Sequence, residues 1–206
     1  MTIVGRARVP PGRAGRLWLE RRLDVAQHAG ELLKNKLAIL NREEQRLAQR
    51  AADEMGEWQR RCREADTWAL RAAVLSGRRA LRIASDGTMA QADVAMGFTI
   101  GVEHPVSAVV RLKRQQDPPV VGSAAVMQAA EAAHAAVDAA LSAAVAAAAL
   151  RALRAELAAT RRTFRAVEQR WIPRLSTALA EVRLELEELE HAEGVRHRWA
   201  AQQGGR

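Results

Sequence analysis

Apolar residues recur along this chain at alternating steps of three and four over two long stretches, and the remaining sequence is arranged around them. In residues 150–189 the series runs Leu150, Leu153, Leu157, Phe164, Val167 and Trp171. After one extra step of four it resumes at Leu175, Ala178, Val182, Leu186 and Leu189. A repeat of about 3.5 residues marks a seam facing one partner helix, not the broader stripe of a globular core. An earlier stretch has the same rhythm: Leu19, Leu23, Ala26, Gly30, Leu33, Leu37, Leu40, Glu44, Leu47 and Ala51. After an insertion of four it continues through Met55, Trp58, Cys62, Ala65, Ala69 and Ala72. Such insertions are stutters, which locally unwind a left-handed supercoil. Two positions break the apolar rule. Gly30 costs about 1 kcal/mol of helix propensity, so it predicts a neighbouring backbone in close approach. Glu44 predicts a carboxylate that is paired or partly exposed.

Punctuation residues bound the elements. Pro10, Pro11 and Gly12 block helix, which leaves residues 1–12 as a flexible basic lead. The first helix then covers residues 13–75, with Leu75, Ser76 and Gly77 as a glycine C-cap. Within an insert at residues 76–123, residues 94–102 and 107–112 are β-prone runs, separated by Glu103, His104 and Pro105, which suggests a small hairpin. Asp117, Pro118, Pro119 and Gly122 close the insert. Alanine fills more than half of residues 124–159, so a second helix covers 124–200, followed by a tail at 201–206. Charge supplies the orientation. Arg13, Arg16, Arg21 and Arg22 crowd the start of the first helix, and Glu181, Glu185, Glu187, Glu188, Glu190 and Glu193 crowd the end of the second. Single surface pairs are worth only ~0–1 kcal/mol, but a block pattern selects antiparallel folding through the insert. The expected fold is mostly α: a long antiparallel two-helix coiled coil with a small α/β or β-hairpin insert.

Composition narrows the function classes. Aromatics are only 3% of the chain and alanine is abundant, which suits helices meeting through small residues. Few large apolar residues are expected outside the seams. The formal net charge of +8 is concentrated in the first 80 residues, and an arginine-rich arm raises a nucleic-acid reading. Interspersed Glu and Asp favour an ordinary solvated helix face instead. Cys62 is the sole cysteine, so no intramolecular disulfide forms, in keeping with a reducing compartment. The first residues lack the apolar core of a signal peptide, and the apolar run 139–150 is shorter than the ~20 residues a membrane span needs. A cytoplasmic chain without membrane insertion is expected. The five histidines lack metal-ligand spacing, the glycines form no P-loop, and Cys62 lies on a seam. No catalytic residue, metal or cofactor is therefore expected. Trp18 and Trp199 should approach each other where the helix ends meet, with Trp58 and Trp171 on the seams.

Two blocks carry a family resemblance. GRAGRLWLERRLDVA from Gly12, followed by ELLKNK through Lys34 and Lys36, resembles the start of the D subunits of V-type and archaeal A-type ATPases, where a basic lead precedes an L-L-K-x-K element. That family's T-R-R-x-x-N-A-L-E and I-P-R-L signature is similar to Thr160, Arg161, Arg162, Thr163, Phe164, Arg165, Ala166, Val167 and Glu168, then Ile172, Pro173, Arg174 and Leu175. The family asparagine is Arg165 here, and its leucine is Val167. Met96 and Gly97 are similar to a V-M-G element. The resemblance implies a central rotor stalk without an active site, peripheral at the inner face of a membrane. Its partners would be the catalytic A and regulatory B subunits, the F subunit beside the stalk and the C subunit toward the membrane ring, with no direct contact to nucleic acid. It singles out Arg13, Arg16, Arg21, Arg22, Lys34, Lys36, Arg161, Arg162, Glu168, Pro173 and Arg174 as signature or interaction residues. Pro173 costs roughly 3 kcal/mol inside a helix and should bend it. The competing readings are a basic coiled-coil arm that grips nucleic acid and a secretion-apparatus coiled coil, which would lack the T-R-R and I-P-R-L block.

Overall fold

The computed structural model describes residues 3–4, 7–84, 91–111 and 123–203. The elements are β1 (Ile3–Val4), β2 (Ala7–Arg8), α1 (Gly12–Ala84), β3 (Gln91–Thr99), β4 (Val102–Arg111), α2 (Ala124–Ala166), a π-helical turn (Val167–Trp171) and α3 (Ile172–Gln203). Residues 112–122, which hold the expected closure of the insert at Asp117, Pro118, Pro119 and Gly122, lie outside the described residues. The chain divides into two compact units, Met1–Ala38 with Ala158–Arg206, and Ile39–Leu157. Each unit contains parts of both long helical stretches.

In the first unit the start of α1 packs on α3. Leu19, Leu175, Ala178, Leu179 and Val182 form a buried cluster with Val9, and Trp18, Leu23, Ala26 and Leu186 close over it. Leu19 is fully buried, a burial worth about 1.5–3 kcal/mol. The direction is antiparallel. Arg13 reaches Glu190 at 2.9 Å, while Glu20, further along α1, reaches Arg183, earlier in α3, at 2.8 Å. The opposed charge blocks contribute less than their pattern suggested. Among the described residues Glu190 is the one member of the acidic cluster drawn into an ion pair. The lead also differs from expectation. β1 pairs antiparallel with β2, and Val9 is buried in the core rather than mobile.

The second unit is antiparallel too. Leu40 and Leu47 meet Ala149, Leu153 and Leu157, while Ala72, much later in α1, meets Ala125, Val126 and Ala129, much earlier in α2. Glu44 is resolved as the sequence required: its carboxylate bonds to Arg154 at 2.8 Å and keeps some solvent contact. Met55 and Ala69, read as seam positions, are exposed, whereas Trp58 and Cys62 are half-buried. The alanine-rich helix buries Ala136, Ala139, Ala143, Val145 and Ala146 as well. By length and composition alone it is apolar enough to cross a membrane, which the run 139–150 is too short to do: within Ala124–Ala200 an 18-residue window has a mean hydropathy of 1.6, and 39% of it is buried inside the protein. Alanines give that window its length, because they extend apolar character past the few charges that bound the shorter run.

Three features differ from expectation. Gly77, at φ 75° and ψ 157°, interrupts α1 but does not end it; helix resumes through Ala84, and Leu81 packs on the cluster around Ala72. The hairpin forms, but its turn is Ile100 and Gly101, both at positive φ. Two such residues make the tight connection that matches strand twist. Glu103, His104 and Pro105 lie within β4 instead, where a register shift between Ala95 and Met96 absorbs the proline. Finally, large apolar residues are not confined to the seams. Leu17, Val25 and Leu32 in the first unit are exposed, as are Leu70, Val74, Leu75 and Phe98 in the second.

Candidate interaction surface

The T-R-R and I-P-R-L block brackets the one place where the second helical stretch departs from α geometry. From Leu153 to Trp171 the seam keeps its steps of four and three, but afterwards Leu175, Leu179 and Val182 are buried, each one residue later than a strict repeat would place it. The π-helical turn Val167–Trp171 takes up that residue: the Ile172 N–H donates to the carbonyl of Val167, five residues back. Wide turns of this kind arise where one extra residue enters a helix, and they concentrate at functional sites. Pro173 follows at once. Lacking an N–H and crowding the carbonyl four residues before it, it is tolerated where the regular ladder is already broken. A wide turn thus stands beside the proline where a bend was expected.

That turn repositions two side chains. Glu168 points toward α1, its Oε1 3.1 Å from where a Cβ on Gly30 would stand, with Ile172 Cδ1 at 3.9 Å. Gly30 is therefore a close-approach glycine as the sequence suggested, but what approaches is a carboxylate and a methyl group, not backbone. Trp171, expected on the seam, is 43% exposed. It lines a groove of about 730 Å³ with Val167, Leu175 and residues of α1 that include Leu17, Trp18, Arg21, Arg22 and Val25. The Arg22 guanidinium lies over the Trp18 ring, 4.8 Å from its centroid.

The singled-out residues separate into groups. Arg21 and Arg22 line the groove. Arg13 is engaged by Glu190 and Arg16 by Glu20 at 3.7 Å. Arg183 donates a hydrogen bond to Glu20, and with Arg16 nearby this holds the Glu20 carboxyl below its ordinary pKa. Pro173 and Arg174 are exposed beside the wide turn, and Lys34, Arg161 and Arg162 are exposed while Lys36 is half-buried. Thr160, the first residue of the signature, is buried on the seam. Trp18 packs against the core, whereas Trp199 stands exposed near the end of α3. Trp68, which sequence reasoning passed over, packs on the Ala72 cluster under Arg71. Its spacing from Ala65 and Ala72 was the available signal.

The hairpin has its own polar anchor. His104 is buried; the ring nitrogen Nε2 is 2.8 Å from Thr99 Oγ1 across the strand pair. Neighbouring Val102 packs against the Leu40 cluster. Glu43, on the same stretch of α1, accepts hydrogen bonds from Arg46 that pull its carboxyl below the usual range, with His104 adding a smaller push in the same direction. No group of His, Cys, Asp and Glu able to hold a metal occurs among the described residues.

Long helices paired antiparallel within each unit, with a small two-stranded hairpin, define a mostly helical protein of the coiled-coil-plus-hairpin class. The chain belongs to the family of ATP synthase D subunits, whose model matches residues 17–202. It is thus a stalk subunit of a rotary ATPase, from a family that is generally non-catalytic, and it assembles with other ATP synthase subunits in a membrane-associated complex. Among curated proteins none matches this sequence.

Proposed function

We propose that this protein is the central rotor of a V/A-type, proton- or sodium-translocating ATPase or ATP synthase, carrying torque between the catalytic A/B ring and the membrane ring. The observation that supports it most is the family match over residues 17–202, which spans both helical stretches together with the block around the wide turn. Two helices joined through small residues resist twisting better than one, which is what a torque shaft requires. The A and B subunits would surround it, F would lie beside it and C would link it to the membrane ring, on the cytoplasmic face. The basic residues Arg13, Arg16, Arg21, Arg22, Lys34, Lys36, Arg161, Arg162 and Arg174, with Glu168 and Pro173, are the proposed contact and signature positions.

Pro173 and the wide turn before it supply an asymmetry by which a rotor can distinguish three otherwise equivalent sites. Co-expression with A, B and F subunits tests the main reading: a stalk–ring complex should form at moderate salt. Failure to form one, with RNA bound by the purified chain instead, would favour the nucleic-acid arm. A Pro173→Ala variant that couples ATP turnover to rotation normally would remove the asymmetry argument while leaving the rotor reading in place.

A further inference from the structure

The groove beside the wide turn is an open, largely apolar surface of the first unit among the described residues. Leu17, Val25 and Trp171 stand exposed along it, and its floor is completed by Pro10, Ala14, Ala26, Ala29 and Leu175. Its lining contains two cations and no acid. Among the described residues Arg21 makes no ion pair, and Arg22 stacks on Trp18 with no carboxylate partner. Of the acids nearest in sequence, Glu20 is bonded to Arg183 and Glu168 is turned against Gly30, while Asp24, beside Val25, is exposed and does not line the groove. Arg170 and Arg174, flanking Trp171, are exposed as well.

We infer that this groove is a docking cradle for a protein segment presenting an apolar ridge flanked by carboxylates, contributed by a neighbouring chain that surrounds the stalk. The inference rests on the stalk reading and adds to it the site and the chemistry of the segment that fits. A volume of about 730 Å³ takes several side chains, as in helix-in-groove recognition. The aliphatic floor wants apolar anchors, and the unpaired guanidinium groups want carboxylates, which they can bind through two parallel hydrogen bonds. A partner flanked by Lys or Arg is repelled. Phosphate backbones would satisfy the arginines but leave Leu17 and Val25 without apolar contact, which favours a protein occupant. The wide turn matters here because it carries Trp171 off the seam and into the groove wall.

The test uses the full chain co-expressed with the neighbouring ATPase subunits. A photoreactive benzoylphenylalanine replaces Val25, and the crosslinked product is mapped by mass spectrometry. The expected product is a segment of another subunit in which apolar residues are flanked by Asp or Glu. The double substitution Arg21→Glu with Arg22→Glu should weaken assembly roughly tenfold or more, with helix content unchanged by circular dichroism. Arg21→Lys with Arg22→Lys should retain most of it, and Arg78→Glu with Arg79→Glu, in the other unit, should assemble as the parent does. Crosslinks to a second copy of this chain, to nucleic acid or to a basic segment would overturn the inference, as would unimpaired assembly of the Arg21→Glu, Arg22→Glu variant. Those results leave the stalk reading intact, whereas a parent chain that forms no complex at all removes both.

Discussion

Two helical glycines, fifteen residues apart in α1, show how one substitution changes sign with what it meets. A Cβ on Gly15 would stand 2.1 Å from the Pro10 carbonyl oxygen, and 3.3 Å from Val9 Cγ1. The obstacle is backbone held by a buried neighbour, so Gly15→Ala must shift the lead off the core and should destabilise by about 1–3 kcal/mol, the usual cost of overpacking. A Cβ on Gly30 meets only the end of the Glu168 side chain at 3.1 Å, and Glu168 is exposed and can swing away. Removing a glycine from a helix interior gains up to about 1 kcal/mol, so Gly30→Ala should be neutral to stabilising. Thermal unfolding of both variants followed by circular dichroism reads the two signs directly. Titration acts at the same scale. Glu20 and Glu43 have folded-state pKa values below their ordinary 4.5, because Arg183 and Arg46 donate hydrogen bonds to the charged forms. A lowered carboxylate pKa contributes stability that is present above the unfolded value and lost as pH falls through the folded one. Unfolding midpoints should therefore drop as pH is lowered below about 4.5, and Glu20→Gln with Glu43→Gln should flatten that decline.

At the scale of elements, the seams were legible because each buried residue repeats a simple spacing: Leu19, Leu40, Leu47, Leu153 and Leu175 were all named by periodicity and are all buried. The phase shift after Trp171 was legible too, but only as a shift. A sequence cannot say whether an extra residue is spread over a long unwinding or concentrated in one wide turn, because the choice depends on hydrogen bonds that two neighbouring turns share. Here the turn is concentrated, with the Ile172 N–H bonded to Val167, next to a proline that could not have closed the regular ladder. The groove was hidden for a different reason. Leu17 and Val25 lie off the seam, where single exposed apolar residues are ordinary, and only the displacement of Trp171 makes them a continuous surface. Deleting Arg170 tests this account. Loss of one residue should let the wide turn close to α geometry and keep Leu175, Leu179 and Val182 in the core, so the unfolding temperature should change little. Trp171 should then turn back toward the seam and become less accessible to a collisional fluorescence quencher, in a background where the other tryptophans are replaced by Phe. A large loss of stability would mean that the extra residue is needed for packing and not merely accommodated.

For the molecule as a whole, stability is held in separate thin cores rather than in one. Leu19 and Leu175 anchor the first unit, Leu40 and Leu153 the second, and each lies in its own buried cluster. Ion pairs across the helices add little to this, since Arg13, Arg154 and Arg183 are all more than half exposed and pairs of that kind are worth ~0–1 kcal/mol. The burial of single leucines therefore dominates locally. Leu19→Ala and Leu153→Ala should each cost about 2–5 kcal/mol, but in different places. Native-state hydrogen exchange resolves such openings segment by segment. Leu19→Ala should speed exchange of amides in residues 13–38 and 158–200 while leaving 39–157 near the parent rates, and Leu153→Ala should do the reverse. Acceleration spread evenly over the whole chain by either variant would show that continuous α1 couples the two cores into one cooperative unit. That outcome bears on the rotor reading in a definite way: a shaft whose cores open independently has torsional compliance between them, whereas a fully coupled one must carry its load as a single stiff element.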